Sequence, residues 1–179
     1  MLKIIATGPE SSGKTTVCKA LSEHFNIPFS KEYAREFLTN LEREYNQNDL
    51  IKIAEGQFKS EYRIQESEGG NHKPQTTNHK LSLHDTDLIT IKIWSNYKYG
   101  NCDKWIIEQI EKQKSEKRIY LLCKPDIPWE ADPQRENPND REELFEIHKQ
   151  ELENLGHTYF VVEGESRVEK SISEILNLI

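Results

Sequence analysis

Cysteine, basic charge and long apolar runs are all in short supply in this chain, and each shortage removes a class of protein. The three cysteines, Cys18, Cys102 and Cys123, lie far apart with no CxxC pair and no Cys/His ligand spacing. Neither a disulfide framework nor a zinc site is expected, and reduced thiols fit a cytoplasmic location. No apolar stretch approaches the roughly 20 residues of a membrane-spanning helix. The first apolar run begins at Leu2 and leaves no room for a secretion signal, so no membrane partner is expected. Lys and Arg number 24 against 31 Asp and Glu, a net charge of −7, which argues against nucleic acid as a bulk partner. What is present suffices for one domain spanning 1–179. Hydrophobic residues make up 35% of it, and they fall in blocks that can form a core.

The blocks alternate in kind. Leu2 to Thr7 is a short apolar run ending in a glycine loop, as buried parallel strands do. Lys14 to Phe25 is an amphipathic helix with Val17, Ala20, Leu21 and Phe25 on one side. "NIPFS" reads as a second strand that can carry no ladder bond at Pro28. Helices are expected over 32–45 and 49–66, the second capped by Asn48 or Asp49. The polar, glycine-bearing stretch 67–79 reads as a loop. "LSLHD" is the third strand, followed by helices over 88–97 and 103–114, and "RIYLLC" is the fourth. Residues 125–141, rich in Pro, Asp and Arg, read as a structured loop or lid. A helix over 141–155 is expected to end at Gly156 in the left-handed conformation. "TYFVVEG" is the fifth strand and 168–178 the closing helix. The pattern predicts an α/β fold: a parallel five-stranded sheet with helices on both faces, binding ligands at the carboxyl ends of its strands.

The first of those ends carries the sharpest motif. Gly8-Pro-Glu-Ser-Ser-Gly13-Lys14-Thr15 fits GxxxxGK followed by Ser or Thr, with a strand before it and a helix after. Glycines let the backbone curl so that successive N–H groups face phosphate oxygens at the positive end of a helix. The loop Gly8, Glu10, Ser11, Ser12, Gly13, Lys14, Thr15 and Thr16 is expected to bind ATP, with Lys14 on the outer phosphates and the Thr15 hydroxyl on Mg²⁺. A guanine-reading Asn-Lys-x-Asp is absent, which weighs against a GTPase switch. The chain is short for a motor, so a small-molecule kinase leads.

Other strand ends supply the remaining candidates. Glu32 sits where the second strand meets its helix, with Arg35 one turn on. Glu32 is either a base for a substrate hydroxyl or an acidic residue suited to a helix start. Asp85 ends an apolar strand, the expected place for a Mg²⁺-holding carboxylate. Asp87 either faces the same cleft or caps the next helix. His84 alternates with Asp85 and reads as structural. In the lid, Arg135 and Arg141 are spaced to close over the transferred phosphoryl group. Trp129 is either a ring that stacks on the ligand or a hinge anchor, and Asp132 pairs an arginine or holds a substrate hydroxyl. Gly164 and Arg167 lie in a turn that flanks adenine in nucleotide kinases of this topology.

With "GPESSGKTT", "EYAREF", Gly56-Gln57, "DTDLIT", "YLLCKPDIPW", "DPQR" and "VVEG" in this order, the chain resembles the ribosylnicotinamide kinase domain of the bacterial bifunctional NAD-salvage regulator and its stand-alone P-loop relatives. The resemblance implies a P-loop NTPase fold of the nucleoside/nucleotide-kinase type with an Arg-bearing lid. It implies ATP- and Mg²⁺-dependent phosphorylation of the 5′-hydroxyl of nicotinamide riboside. By that similarity Glu32 or Asp87 would meet the ribose, Glu32 acting as base or orienter with Asp87 as the alternative, and Trp129 would lie near the ring. Tyr33, Arg35 and Asp132 complete the expected acceptor-binding set. Two departures stand out. The chain carries neither the adenylyltransferase nor the DNA-binding domain of that regulator, and Ile91 stands where a second threonine is expected. Another nucleoside, a thiamine-like vitamin or a regulatory ATPase role therefore stays open. An oligomer is neither signalled nor excluded.

Overall fold

The computed structural model describes residues 1–66 and 81–179; the polar loop expected at 67–79 lies outside them. Strands β1 (Leu2–Thr7), β2 (Phe29–Ser30), β3 (Leu81–Asp85), β4 (Arg118–Cys123) and β5 (Thr158–Val162) form one sheet in the order β2-β3-β1-β4-β5. Every pairing is parallel. The helices are α1 (Lys14–Phe25), α2 (Tyr33–Thr39), α3 (Gln47–Glu66), α4 (Leu88–Tyr99), α5 (Lys104–Gln113), α6 (Arg141–Asn154) and α7 (Arg167–Leu176).

β1 lies at the centre, between β3 and β4, and side-chain alternation sends its neighbours into opposite layers. Ile4 joins Val17, Leu21, Leu83, Leu121 and Ile175 beneath α1 and α7. Ile5 joins Leu50, Ile53, Leu88, Ile106, Leu122 and Leu152 beneath α3 to α6. The chain leaves β1 toward one sheet edge and returns past it to the other. That reversal opens a crevice at the carboxyl end of β1, where open α/β sheets place ligands.

Two elements differ from the sequence reading. β2 is only two residues long, because Pro28 has no N–H for the ladder. α2 stops at Thr39, six residues short of expectation, and the cause lies downstream. Asn46, not Asn48 or Asp49, caps α3: its side chain accepts from the Asn48 amide while Asp49 accepts from the Asn46 amide, a reciprocal capping box. Arg43 grips the buried Asp49 with both guanidinium nitrogens, at 2.6 and 2.9 Å. That grip draws residues 40–46 off the helical path and holds the Asp49 carboxyl well below the usual carboxylate range. Gly156 ends α6 with φ +73°, as expected. Among the described residues no helix is long and apolar enough to cross a membrane.

Candidate active site

The loop between β1 and α1 is shaped by positive φ at Gly8 (+133°), Ser11 (+48°) and Gly13 (+85°). Gly8 admits no other residue. A Cβ there would stand 2.5 Å from the Cys123 carbonyl oxygen, and its φ is one L side chains avoid. The N-terminus of α1 has no side-chain cap and no acidic residue in its first turn, so its positive pole is uncompensated and open to an anion. Lys14 Nζ folds back on the Gly8 and Pro9 carbonyls at 3.0 and 2.7 Å. The Thr15 hydroxyl donates to Asp85 Oδ2 at 2.6 Å. Asp85 Oδ1 is buried without a partner, and burial pushes the carboxyl up to about 6 against the pull of the Thr15 hydroxyl. A buried carboxylate with one bare oxygen beside a hydroxyl is the donor set a hard, oxygen-preferring cation such as Mg²⁺ fits.

A cavity of about 250 Å³ runs from this loop. Its floor is Gly8 to Thr16, with Glu32, Arg35 and Leu38 on one side. α4 supplies Thr90, Ile93, Trp94 and Tyr97, and α6 supplies Leu144 and His148. Segment 125–141 roofs it with Ile127, Pro128, Glu130, Gln134, Arg135 and Asn137. That roof is fastened to the loop. Glu10 Oε2 accepts from the amides of Glu136 and Asn137, both at 3.0 Å. Arg141 donates to the Ser11 and Ile127 carbonyls at 3.2 and 2.9 Å.

Not every expected residue reaches the cavity. Glu32, Arg35 and Arg135 line it with the phosphate loop. Asp132 instead pairs with Arg35 at 2.9 Å. Trp129 is not presented to the cavity; its ring lies against the Arg135 and Arg141 guanidiniums. Arg141 and Arg167 brace the loop from outside, Arg167 through the Ser12 carbonyl at 3.0 Å and through Asp126. Gly164 donates its amide to the same Asp126. Tyr33 turns away, packing its ring over Gly56 of α3.

Asp87 is the clear correction. It is fully buried and is not among the residues that line the cavity. Its Oδ1 caps α4 through the Ile89 amide at 3.0 Å. Its Oδ2 accepts from the Tyr120 hydroxyl at 2.7 Å and from Arg118 at 3.3 Å. The capping alternative is the one the fold uses. His84 is structural as expected, held between the Ser30 and Ser82 hydroxyls at 2.8 and 2.9 Å.

Several lining residues escaped the sequence reading. Thr90, Ile93, Trp94 and Tyr97 follow the i, i+3, i+4, i+7 spacing of one helix face, a signal that was legible but looks like ordinary core. His148 carried no local signal. Its Nδ1 donates to the Leu144 carbonyl at 2.7 Å, which leaves Nε2 a bare acceptor with no partner. Burial holds its pKa down to about 4, against about 6.5 in an unfolded chain. The native state thus binds fewer protons than the unfolded state between these values, so its contribution is whole above pH 6.5 and is lost as pH falls toward 4. The stability difference between wild type and His148→Gln is expected to shrink by about 2–3 kcal/mol from pH 7.5 to 4.5. Urea unfolding of both proteins across that range checks it, since all other titrating groups cancel; a constant difference refutes it.

The family model for an AAA domain matches residues 3–170. Similar solved structures include NadR protein in complex with NR, with TM-score 0.70 and 22% identity over 98% of this chain and 51% of that one. NadR in complex with NAD and AMP-PNP gives 0.68 and 21% over 98% and 49%. Deoxyadenosine kinase from M. mycoides with bound dCTP gives 0.55 and 15% over 99% and 100%. The present chain thus spans about half the length of the NadR chains. At these identities the likeness establishes the fold alone, a P-loop NTPase sheet with helices on both faces. By the match over nearly its whole length, the chain belongs to the AAA domain family.

Proposed function

We propose that this protein is an ATP- and Mg²⁺-dependent small-molecule kinase that phosphorylates the 5′-hydroxyl of nicotinamide riboside to give nicotinamide mononucleotide. The observation that carries this reading is that one cavity is lined both by the phosphate loop and by Leu38, Trp94 and Tyr97, together with Glu32 and Arg35. Aromatic walls suit a flat ring, and a carboxylate suits a sugar hydroxyl. The shared fold of NadR in complex with NR supports the choice of acceptor.

In this reading the loop amides and Lys14 grip the β- and γ-phosphates, Lys14 leaving the carbonyls it now holds. Thr15 and Asp85 would hold Mg²⁺, which would supply charge neutralisation when bound. Glu32 orients the acceptor hydroxyl and receives its proton, while Arg135 moves onto the transferring phosphoryl group. Most of the rate comes from positioning and charge stabilisation. The roof excludes water, so that the acceptor rather than solvent takes the phosphoryl group. A second acceptor class, another nucleoside, is favoured by the likeness to deoxyadenosine kinase and by Ile91 in place of a threonine.

ADP release from MgATP, with and without nicotinamide riboside, together with mass detection of the product, tests the proposal. Stimulation with a mononucleotide product is the expected result. A rate unmoved by nicotinamide riboside but raised by deoxyadenosine would transfer the assignment to the second class.

A further inference from the structure

Gln57 belongs to no strand end and is not among the residues that line the cavity above, yet it is among the most buried polar side chains of the described residues, 1% exposed. Its Oε1 accepts from the Tyr33 amide at 2.8 Å. Its Nε2 donates to the Thr86 carbonyl at 3.2 Å and the Asp85 carbonyl at 3.4 Å. One amide thereby ties the turn after β2 to the turn after β3. The ladder between those strands ends at Phe29↔Leu83 and Ser30↔His84. Beyond it, among the described residues, no backbone bond joins the two turns, although Glu32 lies on one and Asp85 at the start of the other.

Two neighbouring features show that the contact is built in. Thr86 adopts φ +68°, a conformation that a β-branched residue keeps only when its surroundings fix it. Its amide is held by the Ala6 carbonyl at 3.0 Å and its carbonyl by Gln57. Residue 56 is glycine, where a Cβ would fall 2.0 Å from the Tyr33 ring. That absence lets α3 approach closely enough for the amide to reach Tyr33.

We propose that Gln57 is a positioning residue, fixing the distance between the acceptor-side carboxylate, Glu32, and the metal-side carboxylate, Asp85. It touches no substrate and acts through the backbone on either side of it. Asp85 can meet the Thr15 hydroxyl only if the Thr86 turn is held, and Glu32 keeps its place beside the loop only if the Tyr33 turn is held. The side chain must be an amide. A carboxylate would confront two carbonyl oxygens, and an apolar residue would leave the Tyr33 amide and both carbonyls unpaired.

The inference rests on the phosphate loop and Asp85 and not on the identity of the acceptor, so its test needs no acceptor. ADP affinity is measured calorimetrically with and without Mg²⁺ for wild type, Gln57→Glu and Gly56→Ala, alongside thermal melting. Residues that orient metal ligands typically contribute 10–100-fold to metal affinity or activity. The expected result is that Mg²⁺-free ADP affinity stays within about twofold while the Mg²⁺-dependent gain falls about tenfold. Gly56→Ala keeps the amide and displaces it through Tyr33, so it shows the same loss in smaller measure and serves where Gln57→Glu does not fold. Lower melting temperature with the Mg²⁺ gain intact in the folded variants would reduce Gln57 to a stabilising contact and overturn the proposal. A wild-type protein that gains nothing from Mg²⁺ would overturn the Thr15–Asp85 assignment itself, a distinguishable failure.

Discussion

Lys14→Ala is expected to remove at least about 10²–10³-fold of turnover, the loss seen when one preorganised charge-stabilising donor is deleted, while the protein stays folded. Lys14 is the only cation of the loop that lines the cavity. Its amine now satisfies the Gly8 and Pro9 carbonyls, which turn to water at modest cost when it is gone, because the lysine is only part-buried. The developing charge on the transferring phosphoryl group has no such substitute. Lys14→Arg is not expected to rescue the loss, since a planar guanidinium cannot take the place of a compact ammonium inside a curled loop. Single-turnover rates with MgATP, paired with melting curves, check both statements. Near-normal turnover in Lys14→Ala would remove the loop from the chemistry altogether.

Asp87→Ala is expected to cost about 3 kcal/mol of stability and to leave ADP affinity within a few-fold. Loss of the α4 cap contributes about 1 kcal/mol, and the stranded Tyr120 hydroxyl about 1–3 kcal/mol. Arg118 suffers less than an isolated ion would, because Glu61 and Glu116 also bind it. Burial pushes the Asp87 carboxyl up, and Arg118 and Tyr120 draw it back, so the group is held by its partners and not by solvent. Urea unfolding and calorimetric ADP binding at low temperature separate the two effects. A stable protein with lost turnover would return Asp87 to the reaction.

The difference between Asp85 and Asp87 shows what could be read from sequence. The curled loop after β1 was legible because its shape lies in consecutive backbone groups, which local residues dictate. Asp85 was legible because strand ends converge in every sheet of this kind. Asp87 offered two local roles, and the choice fell to Arg118 and Tyr120, more than thirty residues on. The end of α2 was hidden in the same way, since Arg43 leaves the helix for a carboxylate that belongs to α3. Tyr33 turns from the cavity because residue 56 is glycine. Trp94 and Tyr97 had the right spacing, but a cavity wall and a core face share one periodicity. Which it is depends on whether another helix covers it.

The fastening of the roof is asymmetric. At residues 130, 136 and 137 the roof offers main-chain amides and a carbonyl to the Glu10 and Ser11 side chains, whereas Arg141 reaches the Ser11 carbonyl with its side chain. The Asn137 side chain takes no part in these contacts and lines the cavity, whereas Gln134, which also lines it, ties the roof to α2 through the Thr39 hydroxyl at 2.9 Å. Substitution at 137 can therefore retune what the cavity accepts while the Glu10 contacts that hold the roof stay in place. For laboratory evolution, residue 137 is the position to randomise, and Glu10 and Gln134 are the ones to leave alone.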